Sequence, residues 1–269
     1  MDHKILGIVT ILYIFIFFLH ILFFAVKKER IISFLWIVLY MTLALHTAGL
    51  VTRWVESYRI GFGHAPLSNY YESLIFYAWC IGLMLVIFRK KLTFPIITMV
   101  ASLAALFLIG YASISPSVER KIQPLIPALQ SNWLHIHVIT CFLAYAAFVI
   151  SFICGLFYFV TWRNIVPPKE ILEDINYKSV VIGFPMLSAG ILTGAVWAHY
   201  AWGSYWSWDP KETWSLITWI VYAVFLHARL TRGWKGKRIA ILSIIGFLSV
   251  IFTYFGVNFI LSGLHSYAT

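Results

Sequence analysis

Eight stretches of the chain are continuously apolar: residues 5–26, 31–51, 71–88, 94–112, 135–162, 179–199, 213–230 and 239–262. About 20 such residues carry an α-helix across a bilayer, and runs this long and unbroken predict helices, not strands. The polar residues collect in short connections, with no internal repeat, no low-complexity tail and no stretch that could form a separate soluble domain. The pattern predicts an all-α, polytopic integral membrane helical bundle with eight transmembrane spans, folded as a single membrane domain over residues 1–269. The first run ends in Lys27, Lys28 and Arg30 instead of a small-residue cleavage site, so it reads as a span and not as a cleaved signal peptide.

Composition sharpens this reading. Hydrophobic residues make up 61% of the chain and charged residues 11%, against roughly 25% charged in soluble domains. A net charge of +10 would suggest a nucleic-acid partner for a soluble protein. Here the basic residues sit at the ends of spans, where they encode topology and exclude that partner. Lys27, Lys28 and Arg30 follow span one, and Arg89, Lys90 and Lys91 follow span three. Arg163, Lys169 and Lys178 lie between spans five and six, and Arg229, Arg232, Lys235, Lys237 and Arg238 between spans seven and eight. These alternate connections belong on the cytoplasmic side, which places both termini on the outer side, together with the connection between spans six and seven. Cys80, Cys141 and Cys154 lie in apolar runs without a CxxC pair, so they read as small core residues.

Histidine within a membrane span is costly and is a functional candidate by default. His137 stands at the outer start of span five and His265 at the outer end of span eight. Two neutral imidazoles on one side of the membrane could coordinate a metal from opposite faces; the alternative is a pair of interfacial residues satisfied by water. His227 lies deep in span seven, toward its cytoplasmic end, with no carboxylate near it in sequence. Another helix, a ligand or another subunit has to satisfy it. His46 and His20 read as structural hydrogen-bonding residues. His135, two residues from His137, points to a different side of the helix, while His64 and His199 fall at boundaries and His3 is terminal.

The outer connection between spans six and seven reads AWGSYWSWDPKETWSLITW, with tryptophan at 202, 206, 208, 214 and 219 and Trp197 just upstream. Interfacial anchors account for single tryptophans, but not for this concentration. Pro210 suits a first helical turn, Asp209 before it is a good N-cap, and Glu212 completes a capping box. Span seven therefore starts here, preceded by a flat aromatic platform carrying Trp202, Trp206 and Trp208, while Trp214 and Trp219 fall on the helix as packing residues. A platform of this kind suits a large planar ligand, each stacked ring adding about 1 kcal/mol beyond buried area. Haem is such a ligand and takes axial histidines. Lys211, Arg53 and Arg59 are the candidates for neutralising its propionates. A respiratory cytochrome b would instead place histidine pairs within spans at matching depth.

WGSYWSWDPKETWSLITW resembles the tryptophan-rich WWD signature of haem-handling proteins in cytochrome c maturation. With LHARL after it, and with VTRWVESYRIGFGHAPLSNYYESLIFYAW and LQSNWLHIHVITCFLAYAAF, the chain resembles the CcsA (ResC) family of system II over nearly its whole length, with the WWD loop at about residues 197–219. The resemblance implies that His137 and His265 are the external axial pair for haem b. It implies that Trp202, Trp206, Trp208 and Asp209 belong to the haem-binding segment, with Asp209 acting mainly as the helix cap, and that His227 serves an inner haem site. It further implies a CcsB (ResB)-type membrane partner, a bacterial plasma membrane or else a thylakoid membrane, and a share in a haem lyase that joins haem to the CxxCH motif of apocytochrome c. The alternative within the same resemblance is a CcmC-like carrier that passes haem on without ligating it.

Overall fold

The structure, a computed structural model, describes residues 2–162 and 165–261. Among them there is no strand, and eight helices are long and apolar enough to cross a membrane. The chain is an integral membrane protein. The helices are α1 (Asp2–Val26), α2 (Glu29–Arg59), α3 (Tyr70–Phe88), α4 (Pro95–Ile114), α5 (Asn132–Phe157), α6 (Lys169–Trp202), α7 (Pro210–Leu230) and α8 (Lys237–Ile251). The last runs on through a π-turn, Phe252–Gly256, into α9 (Val257–Ile260). Helix ends follow local chemistry. Asn69 caps α3 by accepting from the Glu72 amide at 2.8 Å, and proline occupies the first turn of α4 and of α7. Gly203, at φ 78°, closes α6 in the left-handed conformation that glycine adopts at least cost. The main departure from the apolar pattern is α6, which begins ten residues before its apolar run. Its first turns carry Glu170, Glu173, Asp174 and Lys178, polar residues that hydropathy alone assigns to a connection.

The helices sort into two compact units, Met1–Leu125 and Ile126–Thr269. In the first, α1 packs on α2 and α4, and α3 packs on α4 and α2, closing a four-helix ring. One end of that ring holds a buried ion triad. Arg53 donates from Nε to Glu72 Oε1 at 2.8 Å and from Nη1 to Asp2 Oδ2 at 2.9 Å. Glu72 Oε2 is also taken, accepting from the Ser68 amide and hydroxyl at 2.8 and 2.7 Å. Arg53 thus commits Nε and Nη1 to two carboxylates of the fold, which need its charge inside a membrane protein. His20 hydrogen-bonds the Ile16 carbonyl at 2.9 Å, the structural role expected of it. His46 departs from expectation: it is fully buried against Tyr13 (ring centroids 6.4 Å), and neither ring nitrogen has a hydrogen-bonding partner among the described residues. The backbone of Ile75 is the polar group facing it, outside full hydrogen-bond geometry. His64 ties two loops, its ring nitrogens 3.0 Å from Ala65 O and 2.9 Å from Gln123 O.

In the second unit α5 packs most extensively on α6, and α8 packs on α5 and α7. Its centre is the stacked pair Phe148 and Tyr222, with centroids 3.6 Å apart and planes 9° from parallel. The two rings are seated on glycines: a Cβ at Gly183 would stand 2.5 Å from Phe148, and one at Gly246 would stand 2.7 Å from Tyr222. Small residues that let backbones approach are the usual means of packing helices in membranes. A polar staple crosses the same unit, from Ser151 to Asn176 Oδ1 at 2.7 Å and from Asn176 Nδ2 to Ser243 Oγ at 3.0 Å. Every polar atom in that staple is satisfied, as burial in an apolar surround requires.

Candidate functional site

All the described candidate residues of the tryptophan segment and of the histidine set beyond α4 lie in the second unit, so the site can be built within it. His137 sits in the second turn of α5, half-buried. Its Nδ1 is 2.7 Å from the carbonyl oxygen of Gly190 on α6. A carbonyl only accepts, so Nδ1 carries the proton and Nε2 is the basic nitrogen of the ring, the one able to ligate a metal. Trp197, near the end of α6, lies almost parallel to the imidazole (centroids 5.9 Å, 24°). That indole is in turn held by its Nε1–H donating to Ala128 O at 2.7 Å. Trp202 meets Trp197 edge-on at 4.9 Å. A continuous line of rings therefore leads from His137 to the first tryptophan of the segment.

After Gly203 the chain leaves the helix and carries Tyr205, Trp206 and Trp208 outward before α7 begins. Tyr205 stacks on His199 at 4.2 Å, and Trp206 and Trp208 meet edge-to-face at 5.8 Å. Trp208 is 68% exposed and has φ 60°, a left-handed conformation that costs a non-glycine residue on the order of 1–2 kcal/mol. Glu212 holds it there. Its Oε2 accepts the amides on either side of Trp208, from Ser207 at 2.8 Å and from Asp209 at 3.2 Å, and the Ser207 hydroxyl at 3.2 Å. Asp209 completes the capping box and accepts from the Lys211 amide at 3.0 Å. The sequence-predicted cap is present, and it does more than start a helix: it clamps the turn that displays Trp208. Glu212→Ala should therefore release residues 203–209, seen as at least tenfold faster amide hydrogen exchange there with the rest of the chain unchanged. Equal exchange in variant and wild type would remove the clamp from this account.

The remaining predicted residues divide. Trp214 packs on Phe252 at 4.1 Å, and Trp219 donates from Nε1 to Ser188 Oγ at 2.8 Å, so both are packing residues of α7 as expected. Lys211 Nζ reaches Asn258 Oδ1 at 2.8 Å, tying the start of α7 to α9. Arg59 is largely exposed, with Glu56 nearby at 3.8 Å. His227 is not buried as its depth in span seven suggests. It is exposed, on a stripe with Ile217, Ile220 and Val224 along one face of α7, and its ring hydrogen-bonds no described residue. His265 lies outside the described residues. Sequence reasoning passed over Trp197 as a site residue and missed the glycines that seat His137. The signal for the latter was GILTG at 190–194, a G-x-x-x-G helix-packing motif.

The residues present fit a haem. They offer a histidine whose tautomer leaves Nε2 basic, a line of rings beside it, an exposed indole held in place, and a buried Trp206 Nε1–H with no acceptor among the described residues. Haem would be a substrate here, held through His137 Nε2 and against Trp202, Trp206 and Trp208.

Comparison with known proteins follows the same line. Residues 67–265 match the family profile described as cytochrome C assembly protein. The chain is 44% identical over 229 residues to cytochrome c biogenesis protein CcsA of Chlamydomonas reinhardtii, covering 81% of this chain and 64% of that one. It is 40% identical to the CcsA of Guillardia theta, covering 81% and 80% of the two chains. With the CcsA of Synechococcus sp. (strain CC9605) it shares 39% identity over 83% of each chain. Its fold is similar to that of cytochrome c heme lyase CcmF, with a TM-score of 0.71 at 15% identity, covering 94% of this chain and 46% of that chain. The fold and site define a polytopic helical membrane protein with a seated histidine beside a tryptophan-rich display segment. The chain belongs to the cytochrome c assembly protein family, among the CcsA proteins.

Proposed function

We propose that the protein handles haem in cytochrome c maturation, presenting it for covalent attachment to apocytochrome c together with a CcsB (ResB)-type membrane subunit. The observation that carries this reading is His137. It is seated on α6, with Nδ1 committed to Gly190 O and Trp197 against its face, at the root of the tryptophan segment. In this reading His137 Nε2 holds the iron and His265 supplies the opposite ligand. The 202–208 segment faces the extracytoplasmic side and orients the porphyrin edge. His227, exposed on the apolar face of α7, serves an inner haem position that the partner subunit completes, because a bare imidazole facing lipid hydrocarbon is costly.

The chemistry asked of the chain is modest. Each thiol of the CxxCH motif adds across a vinyl group. One S–C bond forms, the thiol proton ends on the other vinyl carbon, and no oxidant is consumed. The residues of the site contribute proximity and orientation, which lower the barrier without a protein nucleophile. The histidine of the CxxCH motif then competes for an axial position, weakening the hold of the site on its product. Co-expression of the chain with a CcsB-type subunit and a reporter apocytochrome c should yield covalently haem-bound cytochrome. Omitting either membrane protein should abolish it. Haem appearing on a separate chaperone, with no covalent cytochrome, would support a carrier instead.

A further inference from the structure

Two glycines of α6, four residues apart, face two residues of α5 that are also four residues apart. A Cβ on Gly194 would stand 2.5 Å from His137 Nδ1 and 2.8 Å from its Cε1. A Cβ on Gly190 would stand 2.5 Å from Cys141 Sγ and 3.3 Å from the Cys141 amide nitrogen. Contacts under 3 Å cannot exist for a real side chain, so something would have to shift. At Gly190 the backbone of α5 is itself part of the obstacle. At Gly194 the obstacle is the imidazole ring, which is anchored and not a loose end. It is bonded to Gly190 O at 2.7 Å and covered by Trp197.

The same close approach brings the Gly190 carbonyl within reach of the ring. That carbonyl lies on a helix of a membrane protein, where backbone groups are otherwise occupied within the helix. It accepts the imidazole proton at 2.7 Å, with the Thr193 hydroxyl a longer donor to the same oxygen at 3.2 Å. The thiol of Cys141, 3.7 Å from Nδ1, is a weak partner beside a carbonyl. Glycine at 190 and at 194 is thus required for two separate things: the space for the ring, and the choice of which ring nitrogen carries the proton.

We infer that Gly190 and Gly194 are positioning residues for His137: Gly194 forms the seat of the imidazole, and the Gly190 carbonyl fixes the Nδ1–H tautomer, so that Nε2 is delivered as the iron ligand. This rests on the reading of His137 as a haem ligand. A metal-ligating histidine ordinarily donates its other ring N–H to a carboxylate, a carbonyl or water, and losing that outer contact typically costs 10–100-fold in affinity or activity. Here the outer partner is a backbone atom, which no side-chain substitution removes. What a substitution can do is push the ring off it.

The test is Gly194→Ala in the full chain, purified with the haem it retains. Gly110→Ala serves as the control, because a Cβ there meets nothing within 4 Å. The expected result is wild-type helicity in both variants. The control should keep the wild-type ferrous spectrum, and Gly194→Ala should show a shift from low-spin to high-spin bands with a 10–100-fold loss of haem affinity. Added imidazole should restore the low-spin bands, because it supplies the missing ligand without the seat. If Gly194→Ala keeps the wild-type spectrum while His137→Ala loses it, the positioning role is overturned and the ligand reading stands. If His137→Ala also keeps the wild-type spectrum, the ligand reading itself falls and takes this inference with it. Should Gly194→Ala fail to accumulate, nitrogen-15 NMR of histidine-labelled, haem-free wild-type protein decides. The inference expects a protonated Nδ1 and a bare Nε2 at His137, and the opposite tautomer overturns it.

Discussion

His137→Ala should purify in wild-type yield, with the low-spin ferrous haem spectrum lost and maturation of a co-expressed cytochrome c reduced at least tenfold. The expectation combines two features of the site. The ring is half-buried, so its removal costs the fold its bond to Gly190 O and leaves a small cavity beside Trp197. In the proposed reading its basic nitrogen is the part that binds haem. A large loss of spectrum and activity without a loss of protein would therefore separate ligation from folding. Exogenous imidazole should restore part of the low-spin signal, since the space vacated by the side chain lies beside an otherwise intact wall of rings. A variant that matures cytochrome c at the wild-type rate would leave this histidine no role in the chemistry.

The largest effect on stability is expected at Arg53, far along the sequence from the tryptophan segment. Arg53→Ala leaves the carboxylates of Asp2 and Glu72 buried without their cation; they are 3% and 0% exposed. Breaking a buried pair by removing one partner costs about 3–5 kcal/mol. Thermal unfolding in detergent should show a markedly lower midpoint, together with reduced accumulation in the membrane. Arg53→Lys should recover only part of it. One ammonium cannot reproduce the fork that reaches Asp2 from Nη1 and Glu72 from Nε. An unchanged midpoint for Arg53→Ala would show that the two carboxylates find water or another cation, and that the triad does not hold this end of the four-helix ring.

Hydropathy made the architecture legible because membrane spans obey a one-dimensional rule: enough apolar residues in a row. It failed at the start of α6, where the helix continues through Glu170, Glu173, Asp174 and Lys178 beyond the apolar run. Helix formation there is set by backbone hydrogen bonding and not by hydrophobicity. The cap at Asp209 and Glu212 was legible because it is local, four residues whose side chains and amides satisfy one another. The clamp around Trp208 was not, because it depends on a left-handed residue whose φ no composition reveals. The seat of His137 was hidden for a different reason. It is made on α6 by Gly194 and by the Gly190 carbonyl, which lies 53 residues away in sequence and is a group that every residue type carries. The ion triad of Arg53 was hidden for the same reason: its partners lie 19 and 51 residues away in sequence. His46 reversed the expectation of a hydrogen-bonded core histidine, and His227 that of a buried one, because helical periodicity alone does not say which face of a span meets other helices.

The central claim is that haem is held by His137 at the tryptophan segment. The most direct measurement is a density map of the haem-loaded protein with its CcsB-type subunit. The prediction is iron bonded to His137 Nε2, Nδ1 still donating to Gly190 O, and the porphyrin lying against Trp202, Trp206 and Trp208. Haem bound elsewhere, with Nε2 of His137 making no bond to iron, would contradict it.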